Sequence, residues 1–304
     1  MSNIPIVYIT DDNYVMPTIV SITSLMENME KSHPVFVLGI NLSEKNKDYF
    51  KALKNIELLD LENKYKDLDL KHLYVSKAAL FKFDLAEIFK NYDKVLYLDS
   101  DILILRDFSK LLKTDIEKYY AAVVRDISAF LRGDAQKIGL GENYFNSGMM
   151  LLNTKKMRQD NIKEKLIKTR LNSSSKKFMD QDTFNIVFKD CVKFVNPEYN
   201  YLVTNSKLTP STVKQFFKVK KISPAILHLT YLKPWKYEGV PYSKEWMKYY
   251  NLSPFKNERL NLEKNTEQFK IYNKTKFGDR WVIDFFKVRF SYKKGGKDFR
   301  FFYP

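Results

Sequence analysis

The stretch Lys94-Val-Leu-Tyr-Leu-Asp99-Ser100-Asp101 decides the fold. An apolar strand, Val95–Leu98, delivers two carboxylates two residues apart. In an extended chain that spacing points both to the same side. Two like charges so close repel, unless a cation sits between them. Hard oxygen ligands at the end of a strand suit Mn²⁺ or Mg²⁺, usually with a phosphate completing the shell. The structural alternative is that Asp99 and Asp101 serve a turn or a cap.

Working outward, Ile4–Ile9, Val35–Ile40 and Ile56–Leu61 are strand candidates upstream of this run, and Ala121–Val124 is one downstream. Helical stretches separate them. Pro17 suits the first turn of a helix over Thr18–Met29, Ser43 is a plausible N-cap for a helix through Leu53, and a third helix falls near Ala78–Lys90. Short strands alternating with helices predict βαβ units, an α/β fold and a mostly parallel sheet. Ligands of such sheets bind beyond the carboxyl ends of the strands, here just after Ile9, Leu98 and Val124. Thr10-Asp-Asp-Asn-Tyr14 lies at the first of these places. It can cap the next helix, or it can hold a nucleotide, with Asp or Asn on a base or ribose edge and Tyr14 stacked on the base. Further on, Met149–Leu152, Val192–Val195 and Ala225–Leu229 read as strands, Thr154–Leu171 and Asp182–Lys189 as helices, and Ser173–Ser175 as a loop.

The chain has 304 residues, enough for a substantial core, and a composition that excludes global disorder. A single cysteine, Cys191, excludes an intrachain disulfide and a thiolate metal cage. Fifty-two Lys and Arg against 36 Asp and Glu give +16, so an anionic partner is expected: nucleic acid, lipid or a phosphorylated small molecule. The charge-free run Asn13–Met26 is interrupted by Pro17 and four hydroxyl residues, which argues against a membrane span or a signal segment and for a cytoplasmic protein. From Asn265 the composition shifts. The last 40 residues hold ten Lys and Arg, four Asp and Glu, and twelve aromatics. Trp281, Val282, Phe285 and Phe286 share a face at helical spacing, which predicts a helical interfacial segment; a docked helix with solvated charge is the plainer reading.

Five blocks taken together resemble glycosyltransferase family 8, retaining enzymes of the nucleotide-sugar-binding GT-A fold, and most closely its bacterial lipooligosaccharide α-galactosyltransferases. They are Ile9–Tyr14; Phe81-Lys-Phe83 upstream of Tyr92–Ile102; Tyr144–Gly148 with Leu151-Leu-Asn153; Asp180-Gln-Asp182; and His228 followed by Lys233-Pro-Trp235. The resemblance covers roughly residues 4–240. It implies a GT-A catalytic domain over 1–260, while the composition of the remainder predicts a basic, aromatic membrane-association segment over 261–304. It implies that Asp99, Asp101 and His228 bind Mn²⁺ or Mg²⁺; without it, His228 in an apolar run reads as a core histidine. Asp11, Asn13 and Tyr14 would hold the UDP nucleoside, and Ser100, Lys82 and Lys233 the rest of the donor. Asn146, Asp126, Asp180 and Gln181 would surround the donor sugar, with Gln181 beside the anomeric carbon. For several of these a plainer structural role is equally open: Asn146–Gly148 as a turn, Asp126 as a cap, and Asp180 and Asp182 in the first turn of a helix. His72 falls in a region the family uses for the acceptor, and residues 200–221 would set acceptor choice. The chain departs from the family at Lys82, where an arginine is usual, and between His228 and Lys233, where a glycine is common.

The implied function is metal-assisted transfer of galactose or glucose from UDP to a sugar hydroxyl of a glycolipid, on the inner face of a bacterial cytoplasmic membrane. Four rivals remain in view. The same fold could act on a protein or another polysaccharide. A basic nucleic-acid-binding protein would fit the charge, yet no nucleic-acid motif is present and the paired carboxylates would repel phosphate without a metal. A sugar nucleotidyltransferase would show a glycine-rich basic loop after the first strand, and a glycosidase would lack a nucleotide pocket.

Overall fold

Alternate residues of Ile6-Val-Tyr-Ile-Thr10 feed two different hydrophobic layers, which is why the run has no polar face. Ile6 and Tyr8 join one layer with Val35, Val37, Leu96 and Leu98. Val7 and Ile9 join the other with Leu38, Ile40, Val95 and Tyr97. A sheet buried on both faces demands continuous apolar strands. A computed structural model describes residues 4–66, 77–172, 179–204 and 210–264, with the backbone of 272–277, 280–285, 288–293 and 299–302.

The central sheet has seven strands: β1 (Ile6–Thr10), β2 (Val35–Ile40), β3 (Ile56–Leu61), β4 (Val95–Leu98), β6 (Ala121–Arg125), β7 (Phe145–Leu152) and β8 (Val192–Phe194). Their order is β3-β2-β1-β4-β7-β6-β8. All run the same way except β7, which is antiparallel to β4 and β6. A second sheet sets β10 (Ile226–His228) between β5 (Ile102–Ile104) and β9 (Tyr201–Leu202). Helix α1 (Val15–Asn28) packs Ile19, Val20, Ile22 and Leu25 into the first layer, with Pro17 in its first turn. The other layer is closed by Phe81, Phe83, Met157, Leu166, Phe184 and Phe188.

Several expectations are corrected in detail. The third expected helix is a 3-10 stretch, Lys77–Asp84, followed by one α-turn, Leu85–Ile88. The single helix expected over Thr154–Leu171 breaks into Thr154–Gln159 and Ile162–Asn172, because Asn161 takes a left-handed φ of 51°. Ser43 precedes α2 (Glu44–Lys51) but makes no side-chain cap; its N–H and hydroxyl donate to Asp12 Oδ1. Asn146-Ser147-Gly148 is no turn: it is the start of β7, four residues upstream of the strand expected from apolar content.

The largest correction concerns the C-terminus. Where a helix is expected from Trp281 onward, the described residues through Phe285 form a strand, one of four in an antiparallel meander: β11 (Tyr272–Phe277), β12 (Arg280–Phe285), β13 (Val288–Lys293) and β14 (Phe299–Phe302). The sequence Val288-Arg-Phe-Ser-Tyr-Lys293 alternates apolar and polar residues, and period two is the strand's period. Phe286, His72 and Ser173–Ser175 lie outside the described residues, as does part of the 200–221 segment.

Candidate active site

Asp99-Ser100-Asp101 is a turn between β4 and β5, not an extended segment, since those strands belong to different sheets. The carboxylates converge all the same. β5 lies antiparallel to β10 with Ile102 opposite His228, and Leu229 N–H donates to the Asp101 carbonyl at 2.9 Å. His228 Nε2 stands 3.0 Å from Asp101 Oδ1 and 3.6 Å from Asp99 Oδ2. One ligand atom from each of the three residues lies within 4.8 Å of the others. The imidazole is buried.

Gly148 makes this approach feasible. β7 runs antiparallel to β4, so its first residues lie beside the carboxyl end of β4, and Asp99 N–H donates to Gly148 O at 2.8 Å. A Cβ at position 148 would stand 2.1 Å from His228 Cε1 and 2.7 Å from Asp99 Oδ2. Two carboxylates and an imidazole nitrogen converging beside a glycine cradle fit a divalent cation.

Two lysines flank the cluster. Lys233 Nζ lies 2.5 Å from Asp101 Oδ2 and also donates to Leu229 O. Burial would raise the Asp101 carboxyl, but the Lys233 ammonium and His228 outweigh it and hold it well below the ordinary carboxylate range. Lys82 is buried and bridges two acids, 3.0 Å from Asp99 Oδ1 and 2.6 Å from Asp180 Oδ2. Burial opposes its charge; Asp180 and Asp99 reverse that and hold its ammonium above the usual lysine range. Asp180, buried too, is held down by Lys82 in return. Its Oδ2 also accepts from Ser147 Oγ at 3.2 Å. Tyr97, two residues before Asp99 on β4, donates its hydroxyl to Asp99 Oδ1.

Gln181, Asn146 and Asp126 form an amide–carboxylate knot behind Asp180. Gln181 Oε1 accepts from Ser147 N–H at 3.1 Å and Asn146 Nδ2 at 3.0 Å. Its Nε2 donates to Asp126 Oδ2 and to Tyr144 Oη, each at 3.1 Å. Asp126 Oδ1 caps the helix Ile127–Arg132 through Ala129 N–H, so the capping role and the site position coincide. Asp180 and Asp182 likewise lie in the first turn of the helix Met179–Val187. All four expected sugar-side residues are therefore brought together.

At the carboxyl end of β1, Asp11 caps the short turn Asp12–Tyr14 through Asn13 N–H. Asn13 is exposed, and Asp12 is tied to the start of α2 by Ser43 and Asn46. Tyr14 packs edge-on against Trp235 with ring centroids 6.3 Å apart. Burial and the nearby Asp101, Asp99 and Asp11 charges push its hydroxyl up to about 12. Trp235 also lies under the Lys233 ammonium, 5.7 Å from Nζ to the ring centroid, which ties the β1 turn to the carboxylate cluster. Ser100 is engaged elsewhere: its hydroxyl donates to Ile9 O at 3.0 Å and accepts from Thr18 Oγ1 at 2.8 Å, binding the turn to β1 and α1.

Sequence reasoning missed Gly148, Tyr97, Ser147 and Asn200. A glycine inside a strand signals close approach of another group, and a tyrosine two residues before a carboxylate shares its side, so the first two were within reach. Asn200 has no local signal; it meets Asn146 and His228 only through the fold.

Comparison with known proteins identifies the family. The family model described as glycosyl transferase family 8 matches residues 5–239. The general stress protein A of Bacillus subtilis is 30% identical over 264 residues, covering 80% of this chain and 92% of that protein. A lipopolysaccharide 1,2-glucosyltransferase of Escherichia coli is 31% identical over 202 residues, covering 63% of this chain and 58% of that one. A Haemophilus influenzae relative is 30% identical over 217 residues, and the chain spans 64% of its length. A structure of the galactosyltransferase LgtC with donor and acceptor sugar analogs superposes with a TM-score of 0.73 at 24% identity, covering 83% of this chain and 96% of that one. At that identity the likeness is one of fold, and the fold is GT-A. With the family model spanning the central sheet, the carboxylate turn and the His228–Lys233 segment, the chain belongs to glycosyl transferase family 8.

Proposed function

We propose that this protein is a retaining hexosyltransferase that moves galactose or glucose from a UDP-sugar to a sugar hydroxyl of a lipooligosaccharide or related glycolipid. The observation that carries it is the convergence of Asp99, Asp101 and His228 at the carboxyl edge of the sheet, with Lys82 and Lys233 beside them. A Mn²⁺ or Mg²⁺ ion bound there would supply Lewis-acid stabilisation of the diphosphate leaving group.

The chain's own residues do the rest. Tyr14, Asp11 and Asn13 receive the nucleoside at the end of β1. Lys233 leaves Asp101 for the diphosphate, where an ammonium offsets charge developing on the leaving oxygen. Lys82 stays between Asp99 and Asp180 and lends its charge to both. Asp180 and Asp126 orient donor hydroxyls, and Asn146, its amide fully engaged, holds Asp126 and Gln181 in place. The C1–O bond to phosphate breaks with its electron pair going to the phosphate oxygen; the acceptor oxygen bonds to C1 on the same face, and its proton passes to that phosphate oxygen. Gln181 positions rather than attacks: both lone-pair directions of its oxygen and both amide hydrogens are already engaged. Ser100 holds the carboxylate turn instead of touching the donor.

The C-terminal meander suits a membrane-surface role. Its register gathers the positions of Trp281, Ile283, Phe285, Phe290 and Tyr292 on one face, within a segment rich in Lys and Arg. Each basic residue near an anionic leaflet contributes about 1 kcal/mol. Peripheral attachment to the cytoplasmic face would bring residues 261–304 to a glycolipid acceptor. No helix among the described residues is long and apolar enough to cross a membrane.

Asp99→Asn and Asp101→Asn test the site. Each should keep the fold by circular dichroism and lose metal-dependent UDP release. Full activity in either variant would refute the ligand assignment.

A further inference from the structure

We propose that Asn200 is a positioning residue for His228: it fixes the imidazole as the Nδ1–H tautomer, so that Nε2 presents a lone pair to a cation shared with Asp99 and Asp101. This rests on the metal-assisted reading above.

The assignment follows from a donor that cannot be reoriented, the backbone N–H of Gly148. It donates to Asn146 Oδ1 at 3.0 Å, so that atom is the amide oxygen. Asn146 Nδ2 then faces Gln181 Oε1 at 3.0 Å, an oxygen fixed independently by Ser147 N–H. The Asn200 atom 2.9 Å from Asn146 Oδ1 must be a donor, its Nδ2. Asn200 Oδ1 is thereby turned to His228 Nδ1 at 3.1 Å, and only a protonated Nδ1 satisfies it. Asn200 is buried, and it directly precedes β9, whose Leu202 pairs in register with His228 on β10. Backbone pairing sets the distance and the amide sets the ring.

The relay decides between two chemically different sites. Asp101 Oδ1 stands 3.0 Å from Nε2. Without an acceptor at Nδ1, that carboxylate would draw the single proton of a neutral imidazole onto Nε2. The ring would then donate a hydrogen bond where a ligand is needed. An acceptor behind a ligating histidine typically accounts for about 10- to 100-fold in metal affinity.

Two measurements test this. The chain has three histidines, so ¹⁵N-histidine labelling gives a spectrum simple enough to assign His228. In the unmutated protein loaded with Mg²⁺ and UDP, long-range ¹H–¹⁵N spectra should show its proton on Nδ1; a proton on Nε2 overturns the proposal, whatever any variant does. Mn²⁺ titrations followed by electron paramagnetic resonance, with UDP present, should show Asn200→Leu binding about 10- to 100-fold more weakly than the unmutated protein. Asn200→Asp keeps an acceptor facing Nδ1 but sets its other oxygen against Asn146 Oδ1, so it should lose clearly less affinity than Asn200→Leu without full recovery. Equal losses in both variants, or none in Asn200→Leu, overturn the proposal. An unmutated protein that binds no Mn²⁺ overturns the metal reading of the site, and the Asn200 assignment with it.

Discussion

Gly148 contributes no side chain, and the site depends on that. A methyl group there would stand 2.1 Å from His228 Cε1, a distance that forces the ring to move. Gly148→Ala should therefore displace His228 and cut metal-dependent UDP release by about 100-fold or more, while overpacking costs about 1–3 kcal/mol of stability. Activity assays beside urea unfolding separate the two effects; unchanged activity would mean that His228 is not needed where it stands. Lys82 invites a second test. Its ammonium lies between two buried carboxylates, so Lys82→Met should cost about 3–5 kcal/mol at pH 8. In the unmutated protein the depressed Asp180 carboxyl stabilises above about pH 4 and loses that effect as pH falls through its native value. The raised Lys82 stabilises below about pH 10 and loses it as pH rises through its native value. The pair is thus constant from pH 5 to 8. In the variant the uncompensated carboxyls rise and take up protons, so the deficit should shrink toward pH 5. An equal deficit at both pH values would place the loss elsewhere. Of these residues, Asp99 and Asp101 were legible as candidates from their spacing together with their place at a strand end, which is a local fact. His228 needed the resemblance, and Asn200 needed the fold.

At the scale of elements, β7 does the assembling. Being antiparallel within an otherwise parallel sheet, it starts at the carboxyl edge and inserts Asn146-Ser147-Gly148 beside Asp99 and Asp126. The sequence shows the apolar end of this strand and hides its polar start, since those polar groups are satisfied by Gln181, Asp126, Asp180 and Asn200 from distant segments. The C-terminal segment was misread for a different reason. Trp281, Val282, Phe285 and Phe286 fit a helical face, while Trp281, Ile283 and Phe285 fit a strand, so one short window supports both periods. The alternation in β13 and the cross-strand register decide for the strand. A chain ending at Leu262 should lose sedimentation with anionic vesicles and keep UDP release with a short soluble acceptor. Unchanged vesicle binding would remove the membrane role from the meander.

Across the whole molecule, a net charge of +16 surrounds a cluster whose own acids are paired with Lys82 and Lys233. Such a surface draws anions toward a site that holds two ammonium groups, and under the proposed function the small anion drawn in is a nucleoside diphosphate donor. The fold class was legible because short apolar runs alternating with helical stretches admit few other architectures. The central claim is donor cleavage with a metal at the Asp99–Asp101–His228 cluster. Its most direct test is UDP release from a panel of UDP-sugars without acceptor, with Mn²⁺ and with EDTA. Slow release that requires Mn²⁺, stops with EDTA and favours one hexose is the expected result. No release from any donor, together with no UDP binding by calorimetry, would contradict it.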